Sequence, residues 1–526
     1  MRVTPIFVLL YLTSVLKRTM VVAMTSNISR RWWALAAISV AVLAVTLDVT
    51  VLTVALPTLA QALNASESQL QWFVTAYTLA LVAGMLPAGL IGDRFGRRRL
   101  MIGALLLFAL GSLGCAYAPS PAVFICARVA LGLAGSGVIV VALSMLTVLF
   151  DEAERPRAIG IWSAANFIGL PLGPILGGWL LTNAWWGWIF LLNVPIALIG
   201  VVAVVLLVPE SRSERLPAID VAGIVLSSAG LVLLMYGVVQ AGDNGWLSAG
   251  AVLPTVIGLC VLAAFVLWER RVKDPLVNLA LFKSRSFTWG VICTALGIMG
   301  LFGVLFGLPQ FFQAIGGADP EGSGIRLLPA VLGLIVGAVS ADRVAGRLGT
   351  KLTVAGGLGV LLAATLVGST LSADSSDAFI AAWTFFVGAG GGLAFATAAS
   401  TALVELSADS AGVGSALLQA VVKLGPAFGA SILGSVLNST YQSQLDLAGL
   451  PQAAVDAVKS SVFGGIAVAQ QLGSTALLAN VRSAFVNGID AAALVTAATA
   501  LVAIVVALLF LPNRRAEAAD NVPVSG

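Results

Sequence analysis

Long apolar stretches alternate with short polar connections along most of the chain. Each apolar stretch has about 20 residues or more, enough for an α-helix to cross the ~30 Å hydrocarbon core of a bilayer. Because a backbone in lipid must satisfy its own hydrogen bonds, the pattern predicts an all-α integral membrane protein. The fourteen predicted spans are residues 33–57, 71–90, 100–118, 121–149, 158–182, 186–208, 219–240, 247–268, 288–313, 324–342, 352–371, 378–404, 412–437 and 487–512.

Two regions do not fit this alternation. The N-terminal segment 1–32 holds a short apolar run, Ile6 to Leu16, that is too short to span. A true translation start at Met24 and a helix lying on the membrane surface both explain it, and the sequence leaves the choice open. Residues 438–486 form a long predicted outer loop, in which apolar residues recur at helical spacing. This loop either caps the outer mouth or lies passively on the surface.

Composition supports a membrane protein and excludes several other classes. Of 526 residues, 59% are hydrophobic and only 10% are charged, and the mean hydropathy is +1.02; a soluble domain carries about 25% charge. There is no histidine, so no histidine-based metal site or catalytic triad is possible. The four cysteines lie inside apolar segments without CxxC spacing. A membrane enzyme would need convergent nucleophile, base or metal ligands, and we identify none.

Positive charge is concentrated in every second predicted loop. Such loops remain on the cytoplasmic side, which places both termini in the cytoplasm of a cell-membrane protein. The net charge of +4 is explained by these loops, so no nucleic-acid partner is expected. One loop, Glu405 to Asp409, is acidic and breaks the pattern, whereas Arg514 and Arg515 close the last span in agreement with it.

The loop between spans 2 and 3 reads Gly89-Leu-Ile-Gly-Asp93-Arg94-Phe-Gly96-Arg97. Glycine lets helices approach closely, and an aspartate here can meet the positive N-terminal end of a neighbouring helix. The stretch resembles the G-x-L-x-D-R-x-G-R-R motif of the major facilitator superfamily, with isoleucine in place of leucine. The resemblance implies two six-helix bundles with alternating access. It also implies that Gly89, Asp93, Arg94, Gly96 and Arg97 form a conformational latch.

Two charged residues lie inside predicted spans 1 to 6, which is costly and marks them as functional candidates. Asp48 stands in a span-1 segment that resembles the L-D-x-T-V-x-N-x-A-L-P motif of the fourteen-helix drug:proton antiporters, with Thr53 in place of asparagine. Arg128 in span 4 resembles the arginine of R-x-x-Q-G, with Leu131 in place of glutamine. At 1.5 Å per residue both lie ~10–14 Å below the outer surface and can pair if their helices are neighbours. The resemblance implies proton coupling by the pair; a permanent structural ion pair is the alternative.

Span 5 is rich in glycine at regular spacing, G-x8-G-x3-G-P-x2-G. This resembles the antiporter motif of the superfamily, which implies export and a gate that these residues shape; ordinary small-residue packing is the alternative. Span 13 carries a reduced G-P-x2-G counterpart, as an internal repeat predicts. The residues of the two motifs are Gly160, Gly169, Gly173, Pro174 and Gly177, and Gly425, Pro426 and Gly429.

Two polar residues of the second half are candidate substrate contacts. Gln313 at the end of span 9 could hydrogen-bond substrate or merely satisfy a helix end. Lys423, well inside span 13, could contact an anionic or carbonyl-bearing substrate or extend to the surface structurally. In contrast, the inserted spans 7 and 8 carry no mid-membrane charge, which predicts a scaffold rather than part of the pathway.

The resemblance gives the whole chain an expected organisation. It comprises a first bundle at 33–210, two inserted helices with a connector at 211–287, a second bundle at 288–512, and a cytoplasmic tail at 513–526. The implied function is proton-coupled export of amphipathic drugs, antibiotics or a secondary metabolite by a monomer in the lipid bilayer. The proton serves as coupling ion, with no cofactor or metal. A dedicated exporter of one metabolite and a proton-coupled importer remain alternatives.

Overall fold

A computed structural model of the chain describes residues 5–213, 219–318, 320–368, 375–404, 406 and 411–513, and most of their side chains from residue 31 onward. These residues form eighteen α-helices and one short 3-10 segment. Fourteen spans in the described part are long and apolar enough to cross a membrane; α6 with α7 and α11 with α12 each share one span. The helices are α1 Pro5–Ala62, α2 Glu67–Phe95, α3 Arg97–Ala116, α4 Pro121–Leu149, α5 Arg155–Asn183, α6 Trp188–Leu191, α7 Asn193–Leu207, α8 Val221–Asn244, α9 Ala249–Glu269, the 3-10 segment Leu279–Lys283, α10 Arg285–Ala314, α11 Pro320–Arg326, α12 Leu328–Leu348, α13 Thr350–Gly368, α14 Asp377–Leu403, α15 Ala411–Ser443, α16 Gln452–Ser460, α17 Val462–Gln471 and α18 Thr475–Phe510.

The helices form two bundles with an inserted pair between them. α1 to α7 pack among themselves, and so do α10 to α15 with α18. The bundles meet where α5 contacts α12 and α14, and where α15 contacts α2 and α4. The inserted α8 packs against α2 of one bundle and α15 of the other, whereas α9 packs on α8. The predicted all-α fold, with two six-helix bundles and two inserted helices, is confirmed.

One end of the molecule carries most of the arginines, and we call it the basic end. It holds the α2–α3 turn, the start of α5 and the end of α12. Serine residues begin several helices, because a serine side chain can accept a hydrogen bond from an otherwise unpaired first-turn amide. Ser66, at the opposite end, forms a complete capping box with Gln69 at the start of α2.

The last outer segment differs from the prediction. α15 continues to Ser443 and α18 begins at Thr475, so the predicted loop 438–486 is confined to 444–474 and itself contains α16 and α17. A hydropathy pattern marks only the part of a helix that lies in lipid, and both helices extend beyond it. Tyr441 stabilises this extension, because its hydroxyl donates to the carbonyl of Val458 at 2.9 Å and its ring packs against Phe485.

The two chain ends and the acidic loop are described only in part. The backbone from Pro5 onward is continuous with the first span, so the short apolar run belongs to α1. The acidic stretch 405–409 lies outside the described residues except for Leu406. The tail 514–526, with Arg514 and Arg515, also lies outside them.

α12 and α14 pack backbone to backbone through two pairs of glycines. A β-carbon on Gly388 of α14 would collide with the carbonyl of Ala330 and the amide of Leu334. Gly392 of α14 faces the carbonyl of Leu334, and Gly333 and Gly337 of α12 face the backbone of α14 in the same way. In lipid, where burial of apolar surface gives little drive for association, such close contact provides the dispersion energy that holds helices together.

We predict that Gly388→Ala lowers the thermal stability of the purified protein, by about 1–3 kcal/mol for an overpacked core. The matched control is Gly359→Ala in α13, where a β-carbon would meet nothing within 4 Å. That change should be neutral or stabilise the helix by up to ~1 kcal/mol. Thermal unfolding in detergent measures both, and equal melting temperatures for the two variants would contradict the packing described.

Candidate functional site

A buried ion pair lies in the first bundle. Arg128 of α4 donates from Nη1 to Oδ2 of Asp48 in α1 at 2.6 Å, and both side chains are about 1% exposed or less. Arg128 also donates from Nε to the carbonyl of Phe73 at 2.9 Å. Its guanidinium carbon lies 4.3 Å from the centroid of the Tyr77 ring. Asp48 and Arg128 were expected to lie at the same depth in the membrane, and the structure brings their side chains together.

Asn193 is a member of this site that the sequence analysis missed. Its amide nitrogen donates to Oδ1 of Asp48 at 3.0 Å, so each carboxylate oxygen has a donor. The break between α6 and α7 sets its position: Asn193 is the first residue of α7, and Pro195 lies in the first turn, where a proline is tolerated. An amide in an otherwise apolar span, just before a proline, was the signal in the sequence.

Asp93 is fully buried at the contact between the bundles. It accepts from the amides of Gly412 at 3.1 Å and Val413 at 3.2 Å, which belong to the first turn of α15. Arg97 donates to the same carboxylate from Nη2 at 2.5 Å. A carboxylate at a helix N-terminus is stabilised by unpaired amides and by the helix dipole. Asp93 thus meets the N-terminal end of a helix from the other bundle.

The remaining motif residues arrange this turn. A β-carbon on Gly89 would touch the carbonyl oxygen of Gly412, so glycine permits α2 and α15 to approach. Gly96 has φ of +110°, a conformation that side chains other than glycine rarely adopt, and it ends α2 so that α3 can begin at once. Arg94 is half-buried, with its guanidinium carbon 5.6 Å from the Phe95 ring centroid.

A second contact between a charged side chain and a helix end was not predicted. It involves a positive charge, whereas the contact of Asp93 with α15 involves a negative one. Arg155, at the start of α5, donates from Nη1 to the carbonyls of Leu403 and Val404, each at 3.2 Å, at the C-terminal end of α14. Its Nη2 donates to the carbonyl of Thr147 at 2.9 Å. Sequence reasoning counted Arg155 only as a basic loop residue, because nothing in the chain order links it to α14.

We call the contacts of Asp93 with α15 and of Arg155 with α14 the helix-end contacts. α14 and α15 are consecutive helices, so the first bundle presents a negative charge to the start of one and a positive charge to the end of the other. Both signs match the helix dipoles. The chain between α14 and α15 is therefore held at both sides by the first bundle.

The glycines of span 5 pack against α1. β-Carbons on Gly169, Gly173 and Gly177 would meet Thr46, Thr50 and Val51 of that helix, and Thr50 donates to the carbonyl of Gly169 at 3.0 Å. Gly160 instead approaches the carbonyl of Ala338 in the other bundle. Pro174 lies within α5, and its side chain is outside the described part.

The reduced motif of α15 repeats this arrangement in the second bundle. A β-carbon on Gly425 would lie 2.8 Å from Ile298, and one on Gly429 would lie 2.5 Å from the carbonyl of Met299, both in α10. Pro426 lies inside α15. The α5–α1 and α15–α10 contacts are thus counterparts.

The two candidate substrate contacts remain separate from the ion pair. Gln313 and Lys423 are half-buried, and neither side chain forms a hydrogen bond or ion pair with another described residue. Across the described ranges, no three Cys, Asp or Glu side chains converge as metal ligands.

Solved transporters share this architecture. The proton:xylose symporter XylE superposes with a TM-score of 0.61 over 93% of this chain and 97% of its own, at 16% identity. The human organic anion transporter MFSD10 (TETRAN) gives a TM-score of 0.61 over 91% and 99%, at 15% identity. At these identities the likeness concerns the fold alone.

Similar sequences include named exporters. The chain is 33% identical to the multidrug efflux pump LfrA of Mycolicibacterium smegmatis, over 91% of this chain and 96% of that protein. It is 33% identical to the tetracenomycin C resistance and export protein of Streptomyces glaucescens, over 94% of each chain. Residues 38–430 match the family model described as Major Facilitator Superfamily. The chain therefore belongs to the Major Facilitator Superfamily and is a membrane transporter rather than an enzyme.

Proposed function

We propose that this transporter is a proton-coupled antiporter that exports amphipathic drugs, antibiotics or a secondary metabolite across the cell membrane. The observation that carries the proposal is the buried Asp48 carboxylate, held by Arg128 and Asn193 within the first bundle. Export is the direction of transport named for two similar proteins, the efflux pump LfrA and the tetracenomycin C export protein. The proton is the coupling ion, and the proposal requires no cofactor.

Proton uptake at Asp48 would weaken the ion pair. A neutral carboxyl can still accept from Asn193 but attracts Arg128 much less. Arg128 would retain the Phe73 carbonyl and the face of the Tyr77 ring, so its charge would remain partly compensated. Because α1 packs closely on the glycines of α5, a rearrangement at Asp48 would reach the span-5 gate directly.

The basic end is assigned to the cytoplasm, since short basic loops stay on that side. Both termini are then cytoplasmic. Because the helix-end contacts join the two bundles, the space between the bundles would be closed toward the cytoplasm in this state. We propose that Asp93, Arg97 and Arg155, supported by Gly89, Arg94 and Gly96, act as the latch of this state. Opening the basic end would require separation of both charges from their helix ends.

Substrate would bind between the bundles, largely through apolar surface at ~25 cal/mol per Å² buried, which favours breadth over selectivity. Lys423 and Gln313, neither of which is bonded to another described side chain, would supply polar contacts to an anionic or carbonyl-bearing group. A dedicated exporter of one product is the second candidate, supported by the similarity to the tetracenomycin C exporter.

The proposal keeps the organisation expected from the sequence. The first bundle covers 33–210, the inserted pair and connector 211–287, and the second bundle 288–512. The tail from 513 would lie in the cytoplasm. The protein would function as a monomer whose partners are the lipid bilayer and small amphipathic substrates.

We predict that Asp48→Asn abolishes proton-driven export. The amide resembles the protonated acid but cannot release a proton, and it leaves Arg128 buried without a counter-charge, so stability should also fall by about 3–5 kcal/mol. Drug accumulation in cells expressing the variant should equal that in cells without the transporter. A protonophore should change nothing further in the variant but should raise accumulation in wild-type cells.

The matched control is Asp274→Asn, a carboxylate exposed in the connector after α9. It should export as the wild type does. Membrane levels of each variant, measured by immunoblot, separate lost transport from lost expression. If cells expressing Asp48→Asn accumulate little drug and a protonophore raises that accumulation, the hypothesis of proton coupling through Asp48 is wrong.

We further predict that Arg155→Gln shifts the protein toward a state that is open at the basic end. Loss of charge-assisted hydrogen bonds of about 1.5–3 kcal/mol should change the ratio of the two states about tenfold or more. Spin labels at Glu152 and Leu348, which are exposed in different bundles, report the separation. Cys126 and Cys260 are exposed and must be replaced first.

The control for this experiment is Arg98→Gln, which also removes an arginine of the basic end. Arg98 donates to the carbonyl of Val205 in α7 at 2.6 Å, a contact within the first bundle. Its loss should leave the distance distribution between the labels unchanged. Identical distributions for Arg155→Gln and wild type would show that the contact with α14 does not hold the closed state.

A further inference from the structure

The inserted helix α8 lies between the two bundles rather than beside them. Ser228 of α8 donates to the carbonyl of Ala83 in α2 at 2.7 Å. On its other side, Ser431 of α15 donates to the carbonyl of Val238 in α8 at 2.6 Å. The absence of a mid-membrane charge from α8 predicted a scaffold, but this position borders the space that the bundles enclose.

Two cavities flank α8 at the end of the molecule opposite the basic end. One, of 380 Å³, lies between α8, α1 and α2, and it is lined by Leu56, Leu70, Trp72, Thr75, Tyr236 and Gln240 among others. The other, of 460 Å³, lies between α8, α10, α15 and α18, and the junction of α16 and α17 also lines it. Val239 of α8 lines both. α8 therefore contributes to the walls of two cavities at the end of the molecule opposite the basic end.

The first cavity contains a pair of aromatic rings from different elements. Trp72 of α2 and Tyr236 of α8 are nearly parallel, with an interplanar angle of 19° and centroids 6.3 Å apart. Gln240, one turn further along α8, donates to the Tyr236 hydroxyl at 2.8 Å, which fixes the orientation of that ring. Trp72 is 42% exposed, so its ring is available from the cavity.

A flat guest can enter only when the two rings separate. Centroids 6.3 Å apart are within the range of about 4.5–7 Å that is typical of offset-stacked rings in contact. A planar ring system in contact with both faces needs about 7–8 Å between the two ring planes, because carbon atoms pack at ~3.5–4.0 Å, so α8 must move away from α2 to admit the guest. Gln71, Thr75 and Gln240 add hydrogen-bonding groups at the rim, and the lining contains no carboxylate among the described residues.

We propose that Trp72, Tyr236 and Gln240 form an outer subsite that binds flat polycyclic aromatic substrates between the two rings. Aromatic faces attract planar π-systems and delocalised cations, whereas a bulky tetrahedral cation cannot enter between parallel rings. Substrate would reach this subsite after leaving the central cavity. This direction of movement rests on the proposed function. The inserted pair of helices thereby contributes to substrate selection.

The test measures binding to the purified full-length protein in lipid nanodiscs. Ethidium is the planar probe, followed by its fluorescence increase, and tetraphenylphosphonium is the tetrahedral probe, followed by equilibrium dialysis. Tyr236→Leu and Trp72→Leu should each weaken ethidium binding about five- to tenfold, the loss expected for one stacked ring. Tetraphenylphosphonium binding should stay within about twofold of the wild type.

Two further variants make the outcome decisive. Tyr236→Phe keeps the ring and should retain most of the ethidium affinity. Trp246→Leu removes a tryptophan of the α8–α9 turn, outside the cavity, and should bind both probes as the wild type does. Unchanged ethidium binding in both leucine variants, an equal loss for the two probes, or no ethidium binding by the wild type would each overturn the subsite.

The same measurement in Asp48→Asn protein separates this inference from the proposed function. The outer subsite does not contain Asp48, so ethidium binding should survive in that variant. If the wild type shows no proton-driven export but its ethidium binding still depends on the two rings, only the proposed function is lost. If export is proton-driven but ethidium binding is insensitive to Trp72 and Tyr236, only the subsite is lost.

Discussion

The ion pair between Asp48 and Arg128 is the interaction on which the rest of the structure depends. A single charge at this depth of a bilayer is expensive, and removal of one partner from a buried pair costs more than the pair itself contributes. The protein compensates both buried charges. Each carboxylate oxygen of Asp48 accepts from a donor, and the guanidinium of Arg128 also contacts a backbone carbonyl and an aromatic face. Four helices of the first bundle must therefore keep fixed positions. α1, α4 and α7 supply the carboxylate, the guanidinium and the amide, and α2 supplies both the backbone carbonyl and the aromatic face.

Contacts between the bundles follow a different principle. Within the first bundle two side chains of opposite charge meet, whereas between the bundles charged side chains meet helix ends. A helix end carries only a partial charge, so such a contact is weaker than a buried ion pair and easier to separate. An assembly that alternates between two arrangements needs firm contacts inside each bundle and reversible ones between them. The observed distribution of contacts has this character.

Close packing through glycine supplies the firm contacts. The α12–α14 pair, the α5–α1 pair and the α15–α10 pair each bring backbone within reach of backbone or small side chains. This leaves little space for sliding within a bundle. Gly160 and Gly89 differ, because they approach Ala338 and Gly412 across the contact between the bundles. Rigid bundles transmit a local change at Asp48 to a distant end more effectively than loosely packed ones would.

The sequence alone determined the class of protein, the fourteen spans, the buried charges and the motifs, because hydropathy and short spacings are local properties. It did not determine where α15 ends or α18 begins, since a helix that leaves the bilayer becomes polar without ceasing to be helical. Asn193 was visible only as an amide near a proline, and Arg155 only as a loop charge. Their partners, Asp48 and the end of α14, are far away in the chain. The position of α8 between the bundles was likewise decided by tertiary packing, because absence of charge says nothing about which surfaces a helix contacts.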